Sequence, residues 1–397
     1  MEAEKTPEFS AERLAQVAPI LRGLLAAPTG NDDMPYHPVI LKALTGQAAL
    51  DFATSPEKQA GSYPAELSRL ARPPLYLDAS GSYASAAAFR RQVAGQIEAF
   101  AAQHGARPQA VCLPGLGILV VSDGLPDSGQ ALHDRVALVT GSAGAIGHGL
   151  CKALLDQGCY VAVTDLPGER LDAIVAEFAA WAGERVVGIP LDVTDKISVA
   201  AGFERIVQTW GGLDIVVVNA GIALAVALTE MSLEAFQKLE RVNVDGTLLT
   251  IAESGRLMAL QGTGGDIVLI SSKNVFAPGA KFGAYSATKA ASHQLGRIAS
   301  LELAEFGIRV NMVSPDAVFS DGSYRSGLWA TVGPDRMKSR GLDQAGLEEY
   351  YRNRNLLKAR VTAKHVANAM LFFVTHQTPT TGATIPVDGG LPDSTPR

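Results

Sequence analysis

From Arg135 onward, apolar runs of four to six residues alternate with longer segments of helical spacing, and that alternation calls for repeated β-α-β units around a parallel sheet. Strands of such a sheet are covered by helices on both faces, so they read as unbroken apolar runs rather than as alternating ones. The run Arg135–Thr140 (RVALVT) is the first predicted strand, followed by a glycine-rich turn and a helix from about Ile146 to Gln157 that Gly158 stops. Further strands are predicted to end at Thr164 and to lie near Val186–Pro190, Asp214–Val218, Asp266–Ile270 and Arg309–Val313, with a helix near Leu171–Trp181.

Residues 1–130 follow a different pattern. Leu14–Leu25 has amphipathic spacing and is expected to kink or restart at Pro19, Ser82–His104 reads as a second helix, and Ala110–Ser122 reads as two short strands around a Pro-Gly turn. Between them, Pro35, Pro38, Pro64, Pro73 and Pro74 predict mostly irregular chain, and Asp123–Asp134 reads as a linker. The expected organisation is an N-terminal extension over 1–130 and a second domain over 131–397.

Composition narrows the function classes. With 47% hydrophobic residues, 19% charged residues and a net charge of −6, the chain lacks the clustered basic charge that a polyanion partner needs, so no nucleic acid is expected. Cys112, Cys151 and Cys159 follow no metal-ligand spacing and are odd in number, which argues for a reducing compartment. The charged start MEAEKTPEFSAERLAQ does not read as a signal peptide and no apolar stretch reaches membrane-spanning length, so a soluble cytoplasmic protein is expected.

The segment Thr140-Gly141-Ser142-Ala143-Gly144-Ala145-Ile146-Gly147 lies between a predicted strand and a predicted helix. Glycines there let the backbone approach a pyrophosphate, and the helix start offers unpaired N–H groups and a favourable dipole. Gly141, Ser142, Gly144, Ala145, Ile146 and Gly147 are therefore candidate cofactor contacts. Asp165, eighteen positions after Gly147, is placed to bind the adenosine ribose hydroxyls, and no Lys or Arg stands within Thr164–Gly168, which favours NAD over NADP. Asp192 and Val193 after the third strand are candidate adenine contacts, and Asn219-Ala220-Gly221 after the fourth lets the chain pass close to the cofactor. The architecture expected is α/β: a Rossmann-type doubly wound parallel sheet with a smaller α+β N-terminal extension.

Tyr285 and Lys289 are four residues apart, which on a helix places a phenol and an ammonium on one face. A nearby cation favours the phenolate, so the pair suits proton transfer. Ser272 lies thirteen positions before Tyr285, and Asn243 sits in Val242-Asn243-Val244-Asp245-Gly246.

Taken together, these motifs resemble the short-chain dehydrogenase/reductase family over about two-thirds of the chain, with Gly307-Ile308-Arg309-Val310-Asn311 and Val387-Asp388-Gly389-Gly390 as further matches. The resemblance implies a catalytic set of Asn243, Ser272, Tyr285 and Lys289. Tyr285 would exchange the substrate hydroxyl proton, Ser272 would hold the substrate oxygen, Lys289 would lower the Tyr285 pKa and bind the nicotinamide ribose, and Asn243 would hold a proton-relaying water. It also implies a homodimer or homotetramer. Three departures stand out: Ala145 at the second glycine position, Val218 before Asn219-Ala220-Gly221, and Ser314-Pro315-Asp316 after the sixth strand, where Pro315 is expected at the cofactor.

Ser271-Ser272-Lys273-Asn274, Pro315-Asp316-Ala317-Val318 and Leu347–Arg352 resemble the dehydrogenase half of bacterial fusions that join a class II sugar-phosphate aldolase to a short-chain dehydrogenase. That likeness implies that residues 1–130 are a truncated aldolase-like remnant. A metal-dependent lyase is disfavoured because only His37 and His104 are available there, and no metal site is expected. The remnant would pack on the dehydrogenase, cover its pocket or support assembly. Lys273, Asn274 and Asp316 are the candidate substrate contacts. Phe319–Asn355 is the expected substrate lid, whose Arg325, Arg336, Lys338, Arg340, Arg352 and Arg354 either meet an anionic substrate or pair with Asp335, Asp343, Glu348 and Glu349 in solvent. The function expected is NAD-dependent oxidation of a secondary alcohol on a small polyol, sugar or hydroxyaldehyde, with a catalytically silent NAD-binding protein as the rival.

Overall fold

The computed structural model describes residues 10–54, 64–79, 85–122, 130–321 and 324–392; the N-terminal nine residues, most of the expected linker and the start of the Ser82–His104 segment lie outside them. Seven strands form the main sheet: β1 Val136–Thr140, β2 Tyr160–Asp165, β3 Val186–Pro190, β4 Ile215–Val218, β5 Gly265–Ile270, β6 Ile308–Pro315 and β7 Thr384–Val387. They pair in the order β3-β2-β1-β4-β5-β6-β7, every pairing parallel. The order reverses between β1 and β4, where a crevice opens at the carboxyl ends of the strands.

Helices α1 Ala145–Asp156, α2 Glu169–Ala182, α3 Lys196–Trp210, α4 Gly246–Gln261, α5 Gly283–Glu302 and α6 Ala363–Val374 connect and cover these strands. Successive residues of each strand face opposite sides. Leu138, Val216, Ile267 and Val310 pack into one core with Phe203, Val207 and Met258, whereas Val139, Val217, Val268 and Val313 pack into the other with Leu154, Phe178 and Met370. None of the described helices is long and apolar enough to cross a membrane.

The N-terminal extension carries more structure than its prolines suggest. Four short strands, Leu41–Leu44, Gly117–Val121, Ala110–Leu113 and Leu75–Tyr76, form a separate sheet in that order, and a helix spans Gln47–Thr54 where irregular chain was expected. The helix Ala11–Leu25 runs through Pro19 without a break, because Leu14, Val17, Ala18, Ile20 and Leu21 pack into the same core as α3 and α4. The second N-terminal helix, Ala86–His104, is capped by Ser85 and sends Arg90 to the terminal carbonyls of α4, Leu260 O and Gln261 O.

The strongest tie is ionic. Arg22, 2% exposed, donates from Nη1 and Nη2 to the two carboxylate oxygens of Asp214 at 2.8 and 2.7 Å, and from Nε to Val39 O at 2.6 Å. Asp214 also accepts from Val136 N at 2.7 Å and Gln261 Nε2 at 3.2 Å. Burial alone would raise the Asp214 pKa, but the Arg22 charge and hydrogen bonds, with Arg135 and the Val136 N–H, hold it below the ordinary carboxylate value.

Candidate active site

At the carboxyl end of the parallel sheet lies a cavity of about 670 Å³, lined by the loop after β1, the ends of β2 to β6, the start of α5 and the helices Gly327–Arg340 and Gln344–Asn353. Among the described residues, none before Gly141 lines it.

Two glycines shape the loop between β1 and α1. Gly141 has φ 65°, and a Cβ there would lie 2.8 Å from Ala220 Cα. A Cβ on Gly147 would lie 2.3 Å from Gly141 O, so only glycine lets α1 seat this closely on the loop. Asn219 Nδ2 donates to Thr140 O and Gly141 O, both at 2.9 Å, which joins the loops after β1 and β4. Asp165 accepts from Ala143 N at 2.9 Å and Leu166 N at 2.8 Å, so its carboxylate both braces the glycine loop and faces the cavity. Ser142 behaves otherwise than expected: its buried hydroxyl donates to Val139 O at 2.8 Å and accepts from Thr164 N at 3.2 Å, tying β1 to β2 away from the cavity. Gly144, Ala145, Ile146, Asp192, Val193, Ala220, Gly221 and Pro315 all line the cavity. So does Arg170, which lies just beyond the segment read for NADP-binding cations.

Tyr285 and Lys289 enter from α5, and both are buried. Ser272 lies close enough to the Tyr285 phenol to act on its ionisation, and its Oγ accepts from Asn274 N at 3.2 Å. Lys289 Nζ donates to Ile270 O at 3.0 Å. A Cβ on Gly221 would lie 3.3 Å from that Nζ and 3.2 Å from Asn243 Oδ1, so this glycine leaves room where the two polar groups converge. Asn243 occupies a π-helical turn, Arg241–Asp245, a distortion that often marks functional sites. Its side chain accepts from Ile222 N and donates to Ile222 O, both at 2.9 Å, and donates to Thr288 Oγ1 at 3.0 Å.

Electrostatics in this pocket follow burial first. It pushes the Tyr285 phenol up and depresses Lys289 to about 8. The lowering of Tyr285 expected from Lys289 does not appear here: desolvation raises the phenol and Ser272 alone opposes it. Burial also pushes the unpaired Cys112 and Cys151 thiols up to about 12, and Cys159 further.

Two groups escaped the sequence reading. Thr288 links Asn243 to α5 and donates to Tyr285 O at 2.9 Å, and His293 Nδ1 hydrogen-bonds Ser271 Oγ at 2.9 Å beneath the site. For His293 the available signal was its place one turn beyond Lys289. Thr288 carried no signal of its own, because its partner Asn243 lies 45 positions away.

At the far end of the cavity, Lys273 Nζ donates to Ala277 O at 2.9 Å, the buried Asn274 Oδ1 has no hydrogen-bond partner, and Asp316 is paired with Arg354, one of its two hydrogen bonds being 3.2 Å long. Arg336 and Arg340 line the cavity beside them. The other expected lid cations differ: Lys338 is exposed and Arg352 pairs with Glu349 at 2.6 Å, while the Arg325 side chain lies outside the described residues.

Comparison with known proteins agrees with this architecture. The short chain dehydrogenase family profile matches residues 135–327. An uncharacterized oxidoreductase of Bacillus subtilis, YuxG, is 37% identical over 260 residues, covering 65% of this chain and only 37% of that longer protein. A sorbitol dehydrogenase of Cereibacter sphaeroides is 35% identical over 197 residues, covering 50% of this chain and 75% of its own length. Among solved structures, a sorbitol-6-phosphate 2-dehydrogenase of Erwinia amylovora superposes with a TM-score of 0.59 at 29% identity, over 64% of this chain and 98% of that one.

Proposed function

Because the chain belongs to the short-chain dehydrogenase family, we propose that it is an NAD-dependent enzyme that reversibly oxidises the secondary alcohol of a small polyol, sugar or hydroxyaldehyde. The observation that carries this reading is the convergence of Tyr285, Ser272 and Lys289 in one cavity with the glycine loop. The residues present fit a dinucleotide: Gly144 leaves open space at the start of α1, Gly141 and Gly147 let the loop turn and the helix seat against it, and Asp165 lines the same cavity. Bound nicotinamide would supply the hydride acceptor.

In this reading Tyr285 takes the proton of the substrate hydroxyl while Ser272 holds the oxygen as charge develops. Lys289 binds the nicotinamide ribose and, when charged, favours the phenolate. Asn243 holds a relay water; since its side chain is committed to Ile222 and Thr288, its position in the π-helical turn is the means by which its backbone is presented. Asp165 favours NAD by repelling a 2′-phosphate, with Arg170, a cation among the described residues at that end of the cavity, working the other way. Residues 1–130 act as an aldolase-like remnant without lyase activity, and copies of the chain assemble as dimers or tetramers in the cytoplasm.

The test is the absorbance of NADH or NADPH formed from NAD or NADP across polyols, sugars, sugar phosphates and lactaldehyde, comparing wild type with Tyr285→Phe. Turnover with NAD that the substitution reduces by about 10² or more supports the reading. Binding of NAD without turnover on the whole panel would replace it with a silent NAD-binding protein.

A further inference from the structure

The cavity is charged unevenly. Its nucleotide end carries Asp165 and Asp192 against Arg170, whereas its far end carries Lys273, Arg336, Arg340 and Arg354 against Asp316 alone among the described residues. This basic end belongs to a chain whose net charge is −6, so it is not a reflection of overall composition.

The cations are held in place rather than swinging in solvent. Arg336 lies over the Phe282 ring at 4.3 Å, Arg340 over Tyr350 at 4.7 Å and Arg354 over Tyr351 at 4.2 Å, so three guanidinium planes are fixed by stacking and their N–H edges are left for acceptors. Arg354 already has Asp316. Arg336 donates to Ala280 O at 3.1 Å, but its buried Nε has no partner, and Arg340 donates only to Ser339 Oγ at 3.4 Å. Burial first, and then Arg354 and Arg336, hold the Lys273 pKa below its ordinary value despite Asp316, so these cations repel one another. The group adjoins the reacting centre: Lys273 follows Ser272, and the Phe282 ring under Arg336 is 6.0 Å from the Tyr285 ring. Beside it, the unpartnered Asn274 Oδ1 is an acceptor without a donor.

We propose that this end of the cavity is an oxyanion subsite in which Arg336, Arg340 and Lys273 grip the phosphate or carboxylate of the substrate while Asn274 Oδ1 accepts from one of its hydroxyls. The substrate class is then an anionic polyol or hydroxy acid rather than a neutral alcohol. This inference rests on the dehydrogenase reading for what happens at Tyr285, but the subsite can be measured without turnover.

The experiment is calorimetric titration of the full chain with glycerol 3-phosphate, glycerate and glycerol, with and without saturating NAD, repeated for Arg336→Gln and Arg340→Gln. Arg340 has no hydrogen bond beyond its neighbour Ser339, so its substitution keeps the test valid if Arg336→Gln fails to fold. The expected result is that one or both anions bind at least about tenfold tighter than glycerol and lose about tenfold in either variant. The stronger of the two anions identifies phosphate or carboxylate. Equal binding of all three probes, or anion binding that neither variant weakens, overturns the proposal. Displacement of the anions by NAD also overturns it, by assigning the cations to the pyrophosphate. Anion binding that needs these arginines, on a protein that never reduces NAD, would keep the subsite and reject the dehydrogenase.

Discussion

Lys289 is the group whose protonation the fold disfavours most plainly, since burial takes it from 10.5 to about 8. At neutral pH it is charged in both folded and unfolded chains, and the burial penalty is present in full. As pH rises through 8 towards 10.5 the folded lysine loses its proton while the unfolded one keeps it, so the penalty fades. Lys289→Met is therefore expected to be about 1 to 3 kcal/mol more stable than wild type in urea unfolding at pH 7, with the gap narrowing by pH 9.5. A gap independent of pH would show that desolvation of the ammonium is not its cause. The spacing of Tyr285 and Lys289 was legible because a helix converts sequence distance into facing directly. The Ser142 hydroxyl was not, because whether a residue of the glycine loop points at the cavity or at Val139 depends on how β1 and β2 stack.

Helix α1 shows how one element can depend on one missing methyl. Its third residue, Gly147, lies against Gly141 O and Ser142 Cα, where a Cβ would come within 2.3 and 2.6 Å. Gly147→Ala must lift the helix start off the loop, a strain of about 1 to 3 kcal/mol, and is expected to weaken NADH binding about tenfold in a fluorescence titration while circular dichroism stays native. An unchanged dissociation constant would mean that this loop does not seat the dinucleotide. Six of the parallel strands were readable as apolar runs alternating with helical segments, whereas β7 was not, being four partly exposed residues with no helix after it among the described residues. Of the N-terminal sheet, the paired strands Ala110–Leu113 and Gly117–Val121 were readable around their Pro-Gly turn, whereas Leu41–Leu44 and Leu75–Tyr76 were not, because two to four residues are too few for periodicity to declare itself and Leu75–Tyr76 joins only by pairing with Ala110–Leu113 far along the chain.

Across the whole molecule, the extension and the main sheet share one apolar core and one buried ion pair. Removing Arg22 would leave the Asp214 carboxylate buried without its main counter-charge. Arg22→Met is accordingly expected to lower stability by about 3 to 5 kcal/mol, and Asp214→Asn added to it to restore part of the loss, both read from urea unfolding as a single transition. A loss below about 1 kcal/mol, or two separate transitions, would mean that the two parts stand independently. The pairing of Arg22 with Asp214 also sets a schedule for synthesis. The two residues are 192 positions apart, and at about 5 to 20 residues per second the helix around Arg22 leaves the ribosome roughly 10 to 40 s before its carboxylate is made. Throughout that interval Leu14, Val17, Ile20, Leu21 and Leu25 present an apolar stripe whose partners in α3 and α4 do not yet exist, so a helix translated well before the main sheet is among the last elements to complete its native packing.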